Sequence, residues 1–187
     1  MRFNEHSSLA GRHAFLSASK WHWINYDADK LTESYYNAQV ARRGSELHAF
    51  AHQAITLGIG LPRDGRTLNA YVNDAIGYRM SSEQILFYSE NCYGTPDTIA
   101  FDEKKLRVHD LKTGVNDGSF NQLMIYVALF CLEYGIKPGM IETELRIYQN
   151  DEVKVLIPEL DDIAHIMSKI ISFDQMIENI KAGGYSG

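Results

Sequence analysis

The chain has 187 residues, of which 45% are hydrophobic and 22% charged, with a formal net charge of −6. That length suits one domain, residues 1–187, with a sizeable core, and no apolar stretch approaches the roughly 20 residues a membrane helix needs. The acidic balance works against sequence-independent binding to phosphates, so a nucleic-acid role would depend on local basic groups or bound cations.

In chain order, the N-terminal segment MRFNEHSSLAGRH (1–13) has no apolar signal-peptide core. Residues 17–36 begin with Ser17, a suitable cap, and predict one short helix. Residues 37–58 predict a stronger helix. There Val40, Leu47, Phe50, Ala51, Ala54 and Ile55 approximate one apolar face, and Gly58 is the stop. LPRDGR reads as a loop and TLNAYVNDAIGYRM as a further helix. QILFYSE, DTIAF and KLRVHDLK then read as strands, with a tight turn at DEKK between the last two.

The apolar run Leu123–Leu132 belongs to a buried helix over 119–135, capped by Ser119 and stopped by Gly135. MIETELRIYQ alternates, with Ile141, Thr143, Leu145 and Ile147 on one face and Glu142, Glu144, Arg146 and Tyr148 on the other. VKVLIP is a strand. A last amphipathic helix over about 158–180 turns Ile163, Ile166, Met167, Ile170, Phe173, Ile177 and Ile180 inward, and KAGGYSG is a loose tail. This order predicts an α/β (α+β) fold with a mixed central β-sheet flanked by helices. Cys92 and Cys131 have no metal-type spacing, so no disulfide is expected and a reducing, cytoplasmic compartment is the default.

The chemistry concentrates in GTPDTIAFDEKKLRVHDLKTG, residues 94–114. Residues two apart on a strand share a face, so Asp110 and Lys112 point the same way. A hairpin of DTIAF and KLRVHDLK brings Asp97 beside Asp110. Two carboxylates at adjacent strand ends make a hard oxygen site suited to Mg²⁺ or Mn²⁺, and a lysine beside them can offset charge on a phosphate. Gln122 and Tyr126 lie at i and i+4 on the following helix, as do Gly44 and His48 upstream. A neutral His48 imidazole could add a metal ligand.

Pro96-Asp97 followed by Asp110-Leu111-Lys112 resembles the PD-(D/E)xK nuclease signature. Gly44-x-x-x-His48 upstream and Gln122-x-x-x-Tyr126 downstream resemble its RecB-type, phage-exonuclease-like branch. HAFLSASKWHWIN is similar to the N-terminal helix of phage proteins of this kind, and the resemblance covers about residues 13–150.

The resemblance implies a restriction-endonuclease-like core and metal-dependent phosphodiester hydrolysis of DNA, in phage-type replication or recombination. It implies His48, Asp97, Asp110 and the Leu111 carbonyl as ligands of Mg²⁺ or Mn²⁺, and Asp97, Asp110 and Lys112 as catalytic. Gln122 and Tyr126 would contact the DNA strand. Several relatives carry four cysteines for an iron–sulfur cluster; this chain has two, so no cluster is expected. Unwinding would come from another protein, a helicase, recombinase or single-strand-binding protein being the class of partner. Oligomeric state stays open. An exonuclease, a structure-specific or nicking endonuclease, and a catalytically silent DNA- or protein-binding module all remain possible readings.

Other candidates have plainer explanations. Arg42 and Arg43 are the favoured phosphate contacts, with Lys104, Lys105 and Arg107 a second basic group. Trp21, Trp23 and Tyr26 could stack on bases, although an aromatic cluster on an amphipathic segment more often packs. Glu46 reads as solvated, and Glu83 and Glu90 as surface acids. His52, one turn after His48, has no acid at the spacing a zinc pair would need.

Overall fold

The computed structural model describes residues 14–114 and 116–183, with 19–21 described by backbone alone. The segment through His13 and the end of the C-terminal tail lie outside the described residues. The chain divides into two compact units, one ending at Ser45 and the other beginning at Glu46.

The first unit holds a 3-10 helix, Ala18–Asn25, and the start of α1, Ala28–Leu57. Asp27 caps α1, its carboxylate accepting the Lys30 N–H at 2.7 Å. No proline interrupts the following thirty residues, and the helix runs straight through Asn37, where a new helix was expected to start. Gly58, at φ +66, ends it in a Schellman motif: Gly58 N–H bonds the Ile55 carbonyl at 3.1 Å and Ile59 N–H that of Ala54 at 2.8 Å. Ala51, Ala54 and Ile55 are buried as the pattern requires, but Val40 and Phe50 are about half exposed.

The second unit is a mixed α/β layer structure. After α2 (Thr67–Gly77) come β1 (Ser81–Ser82), β2 (Leu86–Ser89), β3 (Cys92–Gly94), β4 (Thr98–Asp102) and β5 (Lys105–Leu111). Then follow α3 (Phe120–Tyr134), a 3-10 turn at Pro138–Met140, β6 (Glu142–Gln149), β7 (Glu152–Leu156) and α4 (Leu160–Gly183). The five-stranded sheet has the order β1-β4-β5-β6-β7. Only β5 and β6 pair in parallel, which requires a crossover, supplied by α3. QILFYSE contributes β2, but β2 pairs with β3 in a separate hairpin rather than joining the sheet. Leu86 nails that hairpin into the core, 1% exposed.

The central strands are covered on both faces. Leu106, Val108, Leu145 and Ile147 pack with α3 and Ile163 of α4. Leu111 and Tyr148 pack on the other face with Ala51, Ala54, Tyr71, Val72 and Ala75. The alternation in β6 is therefore real, yet its second face is a second core rather than a wet surface. Of the apolar series on α4, Ile163, Ile166, Met167 and Ile170 reach the core, whereas Phe173, Ile177 and Ile180 are exposed. No helix among the described residues is long and apolar enough to cross a membrane.

Candidate active site

The β4–β5 hairpin builds the site. Its two-residue turn places Glu103 and Lys104 at φ +47 and +66, as a turn that matches strand twist demands. The register runs from Asp102↔Lys105 to Thr98↔His109. Asp97 immediately precedes Thr98, and Asp110 immediately follows its partner His109. The Leu111 N–H donates to Asp97 Oδ2 at 2.9 Å. His48 reaches the same oxygen from α1, with Nδ1 at 3.5 Å.

Asp110 sits at the carboxyl end of β5, where the chain leaves the sheet for α3. Only 5% of its side chain is exposed. Lys112 lies on the same face as expected. Its ammonium hydrogen-bonds Asp110 Oδ1 at 3.2 Å and stands 2.9 Å from Oδ2 without hydrogen-bond geometry. Gln122 Oε1 also accepts from Lys112 Nζ, at 3.2 Å. The Gln122 amide then donates to the Tyr126 hydroxyl at 3.0 Å, and Tyr126 donates to the Thr95 carbonyl at 3.1 Å. One directed chain of hydrogen bonds thus joins Lys112, Gln122, Tyr126 and Thr95 to Asp110.

Two glycines make room for it. A Cβ on Gly94 would stand 2.9 Å from Tyr126 Cε1, and one on Gly118 would stand 3.0 Å from both Lys112 Cγ and Ile147 Cγ2. The tyrosine ring and the lysine stem each lie where a side chain would otherwise be.

Asp97 binds its proton more tightly than an ordinary carboxyl. Burial is the main cause and the Asp110 charge adds to it, against the Leu111 N–H, His48 and Lys112, which favour the anion. Asp110 Oδ2 is buried and accepts no hydrogen bond among the described residues. A buried carboxylate oxygen met only by the Lys112 ammonium, near a second carboxylate, can accept a hard divalent cation. The donors present therefore fit Mg²⁺ or Mn²⁺ in chemical type. No three His, Cys, Asp or Glu side chains among the described residues are gathered as a ready-made metal cluster.

A scan against protein-family models matches none for this chain, and a search of curated proteins returns no match.

Sequence reasoning missed what fixes Asp97 from behind. Ser82 Oγ donates to the Asp97 carbonyl at 3.2 Å, and Glu83 N–H donates to it at 3.1 Å. Because the Ser82 proton is spent there, His52 Nδ1–H is the donor in its 2.9 Å contact with Ser82 Oγ. Glu83, read as a plain surface acid, stands 3.8 Å from His52. The four-residue offset between His48 and His52 was the available signal, but the acid comes from the residue just after β1, which spacing along the helix cannot reveal. Tyr71 was also missed. It is 2% exposed, stacks edge-on against Tyr148 at 5.4 Å, and its proton is held by burial and by the charges of Asp97 and Asp110.

On the opposite face of β5, His109 is wholly buried. Tyr148 OH donates to Asp74 at 2.6 Å, so the 3.3 Å contact between Tyr148 and His109 has Nδ1–H as donor. Arg146 also binds Asp74, at 3.0 Å. Burial, helped by the Arg146 charge, pushes the His109 pKa down to about 3.

The basic candidates separate. Lys105 and Arg107 lie at the far end of β5 and are drawn to Glu144, at 3.0 and 3.8 Å, with Arg107 also over the Tyr78 ring. They are not an open basic patch. Arg42 and Arg43 belong to the first unit, where Arg42 lines a pocket with Phe15, Trp23 and Tyr26. The Trp21 side chain lies outside what is described.

Proposed function

We propose that this chain is a metal-dependent DNA nuclease with a restriction-endonuclease-like core, acting as an exonuclease in phage-type replication or recombination. The observation that carries the reading is the convergence of Asp97, Asp110, Lys112, Gln122 and Tyr126. These residues are spread over thirty positions of sequence, yet four of them join one hydrogen-bonded chain and the fifth, Asp97, accepts the N–H of Leu111, the residue next to Asp110.

Asp97 and Asp110 would hold Mg²⁺ or Mn²⁺, with His48 and the Leu111 carbonyl as further donors. Such an ion, when bound, lowers the pKa of a water and draws charge from the phosphoryl oxygens. Lys112 offers a positive charge already oriented by Asp110 and Gln122, so little reorganisation is needed as charge develops on the phosphate. Gln122 holds that ammonium while its amide is itself held by Tyr126, which ties the site to the Thr95 carbonyl. The Leu111 N–H orients the Asp97 carboxylate. DNA is the substrate in this reading, and a helicase, recombinase or single-strand-binding protein in the cytoplasm is the class of partner.

The test is incubation of pure protein with end-labelled linear DNA and with closed circular plasmid, in Mg²⁺, in Mn²⁺ and in chelator. Metal-dependent loss of the linear DNA alone is the expected result. Cutting of the plasmid would make it an endonuclease, and no cleavage in either metal would leave a binding module.

A further inference from the structure

The first unit contains a pocket of about 370 Å³ that the catalytic reading does not use. Phe15, Trp23 and Tyr26 supply aromatic walls, and Ser34, Gln39 and Arg42 supply polar ones. The walls are set in place. Trp23 Nε1–H donates to the Ser17 carbonyl at 2.9 Å, and Tyr26 N–H to the Trp23 carbonyl at 3.1 Å. Phe15 meets Tyr35 edge-on at 5.3 Å. Phe15 is 36% and Tyr26 38% exposed, and Trp23 is partly exposed, so the aromatic walls are open to a ligand.

We infer that this pocket binds an unpaired nucleobase of a DNA strand. A flat heterocycle can stack on an aromatic wall of this pocket, and the Gln39 amide and the Ser34 hydroxyl can meet the polar edge of the base. A base inside a duplex is stacked on its neighbours and cannot enter, so the substrate class is single-stranded DNA or a frayed end. Stacking of this kind tolerates any sequence, because every base has a π face. The inference rests on the nuclease reading in taking DNA as the ligand.

The test is fluorescence anisotropy of labelled dT20, and of a blunt hairpin duplex, with the full chain in chelator. Trp23→Leu should weaken dT20 binding by about 5- to 150-fold, the range for losing one stacked base. Trp23→Phe should restore most of the affinity, and the blunt duplex should bind weakly to all variants. Gln39→Ala and Tyr26→Leu, at exposed or partly exposed rim positions, repeat the test should Trp23→Leu lose its circular dichroism spectrum.

Wild-type affinity for dT20 in Trp23→Leu, or equal losses for dT20 and duplex, overturns the inference. So does a smaller assembly for the variant than for wild type in sedimentation with dT20 affinity unchanged, which would assign the pocket to a second copy. Cleavage by wild type in Mg²⁺ is scored in parallel. Trp23-dependent binding without cleavage removes the nuclease reading and keeps the pocket; cleavage with Trp23-independent binding does the reverse.

Discussion

Lys112 does two jobs that a mutation can separate. It holds a positive charge at the site, and it partners a carboxylate that is almost fully buried. Lys112→Ala should reduce cleavage by about 10²- to 10³-fold, the scale for losing one preorganised charge donor. It should also lower stability by about 1–3 kcal/mol in urea unfolding, because Asp110 is left without its cation. Asp110→Asn in that background should recover stability without recovering cleavage. Recovery of both would show that Lys112 acts only as a structural partner. His109 supplies a pH signature. Its folded pKa lies near 3 against an ordinary value of about 6.5, so between those limits the unfolded chain takes up a proton that the folded chain refuses. Stability should therefore fall with acidification through that window, approaching about 1.4 kcal/mol per pH unit from this group. His109→Gln should flatten the slope between pH 6 and 4, and an unchanged slope would mean that other groups dominate acid unfolding.

At the scale of elements, hairpin and helix depend on each other through Gly94. A methyl there would meet the Tyr126 ring at 2.9 Å, so Gly94→Ala must push the ring away and break its bonds to Thr95 and Gln122. It should cost about 1–3 kcal/mol and reduce cleavage at least as much as Tyr126→Phe, which only removes the hydroxyl. Gly94→Ala more active than Tyr126→Phe would uncouple the hairpin from Lys112. Much of this level was legible in the sequence. Ser119 and Gly135 bracket α3 as expected, with Ser119 Oγ accepting the Asn121 N–H at 3.2 Å, and the hairpin expected around DEKK forms, with β4 and β5 pairing antiparallel. The short partners were not legible. β1 is two residues long and β3 three, too brief to show a period, so the Ser82–His52 support and the separate β2–β3 hairpin left no trace. Nor did Asn37 stop α1, because a single helix-neutral residue cannot outweigh continuous hydrogen bonding on either side.

At the scale of the whole molecule, the mixed sheet was readable from the order of elements, since parallel pairing of β5 and β6 needs the helix between them. What composition misjudged was wetness: Tyr148 was placed on a polar face and is fully buried, while Phe173 and Ile180 were placed inward and are exposed. Periodicity assigns a face but cannot say what covers it. Leu145 lies on the central strand with no exposed surface, and Leu145→Ala should cost about 2–5 kcal/mol in urea unfolding.

The central claim is that Asp97, Asp110 and Lys112 form a metal-dependent phosphodiesterase centre. The most direct measurement is the rate at which wild type, Asp110→Ala and Lys112→Ala degrade end-labelled linear DNA in Mg²⁺ and in Mn²⁺, each variant first shown to keep its circular dichroism spectrum. Degradation by wild type that chelator abolishes, and that neither variant performs, is the predicted result. A folded Asp110→Ala as active as wild type would contradict it.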